Sequence, residues 1–148
     1  MTEIMREAKE AVRAENLTKS YQGKTVLNGL NLSVKRGTVF GLLGANGAGK
    51  STTIECILGT KLAESGTSAV LGYDTGKERR KVFQKVGVQF QEGDYQPEIR
   101  VSELCEETAC LYDKPADWQM LCERFGIGDK IKNTVKSLSH GERQRLFI

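Results

Sequence analysis

The sequence predicts an α/β fold in which strands dominate the first part of the chain and helices dominate the last part. Three observations support this prediction. Short apolar stretches alternate with glycine-containing turns up to about residue 43. A glycine-rich loop at residues 44–51 then lies between an apolar stretch and an amphipathic segment. After about residue 95 the apolar residues recur at helical spacing instead.

The composition indicates one soluble domain. The 148 residues are enough for one globular domain, and 39% of them are hydrophobic. No apolar stretch approaches the roughly 20 residues that span a bilayer, and the acidic first ten residues do not resemble a secretion signal. The four cysteines form no Cys-x-x-Cys pair, so we expect reduced thiols in a core. A net charge of +3 is too small to indicate a nucleic-acid partner.

The first part of the chain predicts hairpin-linked strands at residues 12–17, 26–32 and 38–43. Gln22, Gly23 and Lys24 fit the first turn, and a glycine at position 37 fits the second. The third strand is nearly all apolar, as is typical of a strand that is buried on both faces.

A helix is predicted directly after the glycine-rich loop. Ile54, Ile57 and Leu58 share one face of it, and Gly59 marks its end. Further strands are expected at residues 67–71 and 86–90, with a helix at residues 77–85 between them.

The last part of the chain predicts a helical subdomain. One helix is expected from about residue 101, with an apolar face formed by Val101, Leu104, Cys105, Thr108, Leu111 and Tyr112. Pro115 should open another helix that carries Trp118, Leu121, Cys122 and Phe125, with Gly126 as its C′ residue. We therefore expect an N-terminal extension at residues 1–10, a β subdomain with the loop-bearing core at 11–94, and a helical subdomain at 95–142.

Residues 44–51 match the Gly-x-x-x-x-Gly-Lys-Ser pattern of a phosphate-binding P-loop. Glycines allow the backbone to turn with positive φ, and the start of the following helix directs unpaired N–H groups at an anion. In this pattern the lysine reaches the terminal phosphates and the hydroxyl holds Mg²⁺. A plain tight turn is the alternative, but the apolar stretch and the amphipathic helix on either side favour the P-loop. The candidate binding residues are Gly44, Asn46, Gly47, Ala48, Gly49, Lys50, Ser51 and Thr52.

A second candidate site begins at Ser139. Ser139, His140, Gly141 and Glu142 form a Ser-x-x-Glu capping box, which predicts the start of a helix. Taken alone, this pattern indicates only a helix start. Together with Leu138 before it and Arg-Gln-Arg-Leu after it, the segment closely resembles the signature motif of ABC ATPases.

The resemblance to ABC ATPases covers about residues 12–148 and includes four motifs in the family's order. It implies that Ser139, Gly141 and Glu142 meet the γ-phosphate held by the P-loop of a second ATPase subunit in a head-to-tail dimer. Tyr21 resembles the A-loop aromatic that stacks on adenine. Gln91 resembles the Q-loop glutamine, which touches Mg²⁺ and the attacking water, so Lys50 and Gln91 are the expected catalytic residues.

The same resemblance implies the fold and the function. The expected fold is a P-loop NTPase with a RecA-like core, an antiparallel β subdomain and an α-helical subdomain. The expected function is the binding and hydrolysis of Mg-ATP to drive a membrane permease, from the cytoplasmic face of the membrane. The residues around Gln91 and Val101 look most like ATPases of exporters for drugs and other hydrophobic compounds. Transport direction is a weaker inference than ATP binding.

Several family landmarks do not occur in these 148 residues. The family follows its signature helix with a Walker B strand ending in Asp, a catalytic Glu, a D-loop and a switch His. We therefore expect a domain that is incomplete at the C-terminus and inactive alone. Asp74 ends an apolar run but precedes Gln91, so it is not interpreted as Walker B. His140 stands where the signature usually has Gly, and Glu142 stands where Gln is common.

Other functions are also compatible with a P-loop. A GTPase is disfavoured because the sequence contains no Asp-x-x-Gly and no Asn-Lys-x-Asp, while a small-molecule kinase would use the same loop. A soluble ABC-family ATPase that is not coupled to a permease, acting on DNA or ribosomes, would be expected to carry more positive charge or a coiled-coil insertion. The chain could also be a binding module without catalysis.

Overall fold

The structure, a computed structural model, describes residues 9–89, 95–96 and 98–148. These residues form two compact units, one ending at Lys85 and the other beginning at Val86. The domain boundaries given above remain a prediction. Within the described part of the chain, no helix has the length and apolar character needed to cross a membrane.

The first unit is built on a four-stranded antiparallel sheet in the order β2-β1-β3-β4. Two of its connections are two-residue turns with positive φ at both residues, at Gln22-Gly23 (48° and 79°) and Leu71-Gly72 (52° and 81°). Such turns match the twist of the strands they join. The strands are β1 (Glu10–Tyr21), β2 (Lys24–Lys35), β3 (Ser65–Val70) and β4 (Tyr73–Asp74).

Two helices accompany this sheet. Helix α1 (Lys50–Ile57) contacts strands β1, β2 and β3, and helix α2 (Arg79–Phe83) contacts β4. The helix that was predicted after the glycine-rich loop is thus confirmed. The buried apolar side chains of this unit include Ala14, Leu17, Leu27, Cys56, Ile57, Leu58, Val70 and Val82.

Two predicted strands are not formed. Residues 38–43 are in no strand, and Val39 and Leu43 are 104% and 92% exposed, so the expectation of a strand buried on both faces is wrong for the described chain. Residues 86–89 are also in no strand, and residue 90 lies outside the described residues. An apolar stretch becomes a strand only when another backbone supplies its hydrogen bonds, and the described residues supply none here.

The second unit is helical, as predicted. It contains α3 (Val101–Ala109), α4 (Trp118–Arg124) and α5 (His140–Leu146), together with two short 3₁₀ segments at Gly128–Lys130 and Val135–Ser137. Its core contains Ile99, Val101, Cys122, Ile127, Val135 and Leu138.

The ends of these helices differ in part from the prediction. Helix α4 begins at Trp118, not at Pro115, because the Asp117 side chain accepts a hydrogen bond from the Met120 N–H and caps the helix. Gly126 follows the C-cap residue Phe125 and has φ of 66°, which confirms it as the C′ residue. Leu111 is 72% exposed and lies beyond the end of α3, so it does not contribute to a buried face.

The four cysteines are free thiols, as predicted, but they are not all in a core. Cys56 and Cys122 are buried, Cys105 is partly buried and Cys110 is exposed. Burial raises the pKa of the Cys105 thiol to about 12, and contact with Cys122 contributes to the increase.

Candidate functional site

The glycine-rich loop leads directly into helix α1. Gly47 and Gly49 both have left-handed backbones, with φ of 80° and 86°, and the Ala48 N–H donates to the Ala45 carbonyl oxygen at 3.2 Å. Gly49 is the N-cap residue of the helix. The loop therefore adopts the tight turn that the glycines were predicted to allow.

Gly49 is also packed closely against strand β2. A Cβ atom at this position would lie 3.0 Å from Val26 Cγ1 and 3.2 Å from the Val26 carbonyl oxygen. A Cβ at Gly47 would meet nothing within 4 Å. Position 49 thus requires glycine for two reasons, the left-handed backbone and the lack of space beside β2. Position 47 requires glycine only for its left-handed backbone.

Lys50 directs its ammonium group back over the loop. Its Nζ donates to the carbonyl oxygens of Gly44 and Ala45, at 2.7 and 2.8 Å. The start of α1 has no side-chain cap and no acidic residue in its first turn. Its first N–H groups, the helix dipole and the Lys50 charge therefore form a positive site that fits a phosphate group.

The hydroxyl residues of this helix take different positions. Ser51 is exposed and Thr52 is half-buried in the first turn, whereas Thr53 is buried and its Oγ1 donates to the Gly49 carbonyl oxygen at 2.8 Å. Among the described residues there is no group of three or more His, Cys, Asp or Glu that could hold a metal ion. Mg²⁺ commonly binds through few protein oxygens together with phosphates and water, so the Ser51 hydroxyl fits that mode of binding.

Tyr21 is the last residue of strand β1 and lies beside the turn of the β1–β2 hairpin. It pairs with Lys24, and Val26, two residues further along β2, is the residue that contacts Gly49. Two strand residues span about 7 Å, so the hairpin brings Tyr21 towards the loop. Tyr21 is 39% exposed, and the Nζ atoms of Lys19 and Lys61 lie over its ring at 5.4 and 5.7 Å from the ring centroid.

The second predicted site lies at the start of helix α5. The Ser139 hydroxyl accepts from the Glu142 N–H at 3.3 Å, and the Ser139 N–H donates to Glu142 Oε2 at 2.7 Å, which confirms the capping box. These bonds from Ser139 lower the pKa of the Glu142 carboxyl. Gly141 is exposed and would accept a Cβ without contact closer than 3.9 Å. Gln91 lies outside the described residues.

The sequence did not reveal two features of this site. Val26 was expected in a strand, but nothing in the sequence indicates that it packs against Gly49, because such contacts depend on tertiary structure. The second feature is the pair of lysines near Tyr21, of which Lys19 could have been found because it lies two residues before Tyr21 and so on the same face of its strand. No local sequence pattern indicates that Lys61 lies near Tyr21, because Lys61 belongs to a segment distant in sequence.

Comparison with known proteins gives consistent results. The family model described as "ABC transporter" matches residues 27–148. The chain is 37% identical over 143 residues to the linearmycin resistance ATP-binding protein LnrL of Bacillus subtilis, covering 93% of this chain and 46% of LnrL. It is 33% identical over 150 residues to the methionine import ATP-binding protein MetN of Rhizobium johnstonii, covering 95% of this chain and 41% of MetN.

A solved structure is also similar. The chain matches CbiO1 of Clostridium perfringens, described as part of the ABC transporter complex CbiONQ, with a TM-score of 0.76 and 26% identity, covering 94% of this chain and 59% of that one. The predicted P-loop α/β fold is thereby confirmed. The chain spans less than half the length of the curated relatives it matches.

Proposed function

The chain belongs to the ABC transporter family, and we propose that the protein carrying it binds Mg-ATP at residues 44–52 and uses the nucleotide to drive a membrane permease. The observation that supports this best is the arrangement of Lys50 over a glycine loop that ends at the uncapped start of α1. In this proposal Gly44, Asn46, Gly47, Ala48 and Gly49 surround the phosphates, Lys50 and Thr52 contact them, and Ser51 holds Mg²⁺.

The binding proposal is tested by Lys50→Ala. Loss of a charge-assisted contact costs about 1.5–3 kcal/mol, so ATP affinity should fall by about ten- to a hundredfold. Isothermal titration calorimetry on the longest natural chain that carries this sequence measures the change. Lys132→Ala, which removes an exposed lysine of the second unit, is the matched control. Equal affinities of the Lys50→Ala and Lys132→Ala variants would reject the site.

Tyr21 is proposed to stack on the adenine ring. Its exposed ring and its position at the hairpin end support this role. Stacking of a base on an aromatic side chain is worth about 1–3 kcal/mol in single-strand binders. Tyr21→Ala should therefore weaken ATP binding, whereas Tyr21→Phe should not, and an alanine variant with unchanged affinity would remove Tyr21 from the site.

The remaining site assignments follow from family membership. We propose that Ser139, Gly141 and Glu142 contact the nucleotide of a second ATPase subunit, and that Gln91 acts with Mg²⁺ and the attacking water. The capping bonds between Ser139 and Glu142 engage the serine hydroxyl within its own helix. Ser139→Ala should therefore lower ATP turnover in the dimer and also loosen the start of α5, and amide exchange at the Glu142 N–H separates the two effects.

Catalysis is proposed to need more than these 148 residues. They contain no Walker B strand followed by an acidic residue and no switch His at the expected places, and phosphoryl transfer depends on groups that position Mg²⁺ and water. The 148-residue chain should therefore release little phosphate beside a chain extended through those elements. Equal release from both, abolished by Lys50→Ala, would indicate that an acid such as Asp74 already serves catalysis.

The partners and the direction of transport are also proposals. CbiO1 is described as part of a transporter complex, which supports pairing with permease subunits at the cytoplasmic face of the membrane. Export is favoured by the residues around Gln91 and Val101, although similarity extends to an import protein as well. Co-purification of the protein with membrane subunits, followed by substrate flux in vesicles of known orientation, tests both statements.

A further inference from the structure

Two lysine ammonium groups lie near the ring of Tyr21. The Nζ atoms of Lys19 and Lys61 lie over its ring, at 5.4 and 5.7 Å from the centroid, which is within the range of a cation–π interaction. Lys19 belongs to strand β1, whereas Lys61 belongs to the segment between α1 and β3. Two ammonium groups from separate parts of the chain therefore share the ring.

The position of Lys61 is set by bonds at both ends of its segment. Its Nζ lies 2.9 Å from Glu55 Oε2, and its N–H donates to the Glu55 carbonyl oxygen at the end of α1. Three residues later, the Glu64 carboxylate accepts from the Ser20 N–H at 2.9 Å and from the Ser20 hydroxyl at 3.2 Å. Residues 61–64 thus connect the end of α1 to the strand residue just before Tyr21. Contact with Glu55, and to a smaller extent contact with Tyr21, raises the pKa of the Lys61 ammonium.

Stacking of a base and binding of an ammonium group both use the face of an aromatic ring. We propose that Lys61, together with Lys19, competes with a nucleotide base for the ring of Tyr21, so that Lys61 lowers affinity for the base without lowering affinity for the phosphates. This inference rests on the proposed stacking of ATP on Tyr21. In this proposal Lys61 sets the affinity for the base, and its ion pair with Glu55 connects it to helix α1, which begins at the phosphate site.

The experiment separates the base from the phosphates. ATP and inorganic tripolyphosphate are titrated calorimetrically into the longest natural chain that carries this sequence, and the ratio of the two dissociation constants is compared between variants. A cation–π contact at an exposed site is worth about 0.5–1 kcal/mol, so Lys61→Ala should raise the preference for ATP over tripolyphosphate by about two- to fivefold. Lys19→Ala should act in the same direction.

Two controls make this result specific. Lys24→Ala removes the same charge from the residue that pairs with Tyr21 and should leave the ratio unchanged. In a Tyr21→Ala background, Lys61→Ala should no longer change the ratio, since the shared ring is absent. The inference would be overturned if the Lys61→Ala variant still bound ATP but its preference for ATP over tripolyphosphate were unchanged or lower. It would also be overturned if Lys61→Ala changed that preference equally in the Tyr21→Ala background. Failure of the unaltered protein to bind ATP would instead reject the proposed function, and this inference with it.

Discussion

Replacing Gly49 by alanine should destabilise the protein much more than replacing Gly47, although both glycines belong to the same loop and have similar backbones. Their φ angles are 86° and 80°. The difference lies in their surroundings. A Cβ at position 49 would lie 3.0 Å from Val26 Cγ1, 3.2 Å from the Val26 carbonyl oxygen and 3.3 Å from Leu27 Cδ2, whereas position 47 has open space.

The expected magnitudes follow from these two effects. An alanine in the left-handed region costs about 1–2 kcal/mol, and this is the whole expected cost at Gly47. At Gly49 an overpacking cost of about 1–3 kcal/mol is added, because part of the crowding involves the β2 backbone, which cannot rotate away. The free energy of unfolding should therefore fall by about 2–5 kcal/mol in Gly49→Ala.

Urea denaturation of the two variants and of the unaltered protein measures this difference through the midpoint and the slope. Adding Val26→Ala to Gly49→Ala removes the closest contact and should recover part of the loss, but it should recover nothing when added to Gly47→Ala. Equal destabilisation by the two glycine substitutions would refute the reasoning, because the loop would then not be held against β2 as described.

Three further predictions concern titrating groups and exposed apolar residues. The pKa of Glu142 is lowered by its bonds from Ser139, so the stability that it adds to α5 is present above the ordinary value of 4.5 and is lost as the pH falls through the lowered value. The protection of the Ser139 N–H, taken as the ratio of its intrinsic to its observed exchange rate at each pH, should fall on acidification in the unaltered protein, whereas a Glu142→Gln variant, which keeps a capping residue, should lack this dependence. Burial raises the pKa of the Cys105 thiol from 9.0 to about 12, so its contribution to stability is full below about pH 9 and is lost as the pH rises towards 12. At pH 8 iodoacetamide should modify the exposed Cys110 well before Cys105, and equal rates by mass spectrometry would contradict the burial of Cys105. The 148-residue chain should self-associate through residues 39–43, where Val39 is fully exposed, and Val39→Lys should shift its sedimentation towards the monomer.

The parts of the fold that the sequence predicted best are those determined by neighbouring residues. The turn at Gln22-Gly23, the capping box at Ser139 and the C′ position of Gly126 all depend on residues within about four positions of each other. The start of α4 was misplaced for a related reason. Both Pro115 and Asp117 are favourable near a helix start, and only the structure shows which of them is used.

The two strands that did not form illustrate the opposite case. Residues 38–43 and 86–89 are apolar enough for strands, but a strand also requires a partner backbone, and composition says nothing about where that partner lies. The cations around Tyr21 could not be predicted for a similar reason. Lys61 lies 40 positions from Tyr21 in the chain, and the bonds of Glu55 and Glu64 hold its segment near the ring.

The absence of a strand at residues 38–43 changes the physical explanation of the phosphate site. The apolar stretch before the loop was expected to be a buried strand that supports the P-loop, yet the loop has its turn and its lysine bonds while Val39 and Leu43 remain exposed. We infer that its geometry depends on the residues after it, where Gly49 lies against Val26 of β2 at the N-cap position of α1. The hairpin that holds Gly49 is the same one that carries Tyr21 at its end. One pair of strands thus positions both the start of the phosphate-binding helix and the aromatic ring proposed to bind the base, so a change in the register of β1 and β2 should disturb both ends of the nucleotide together.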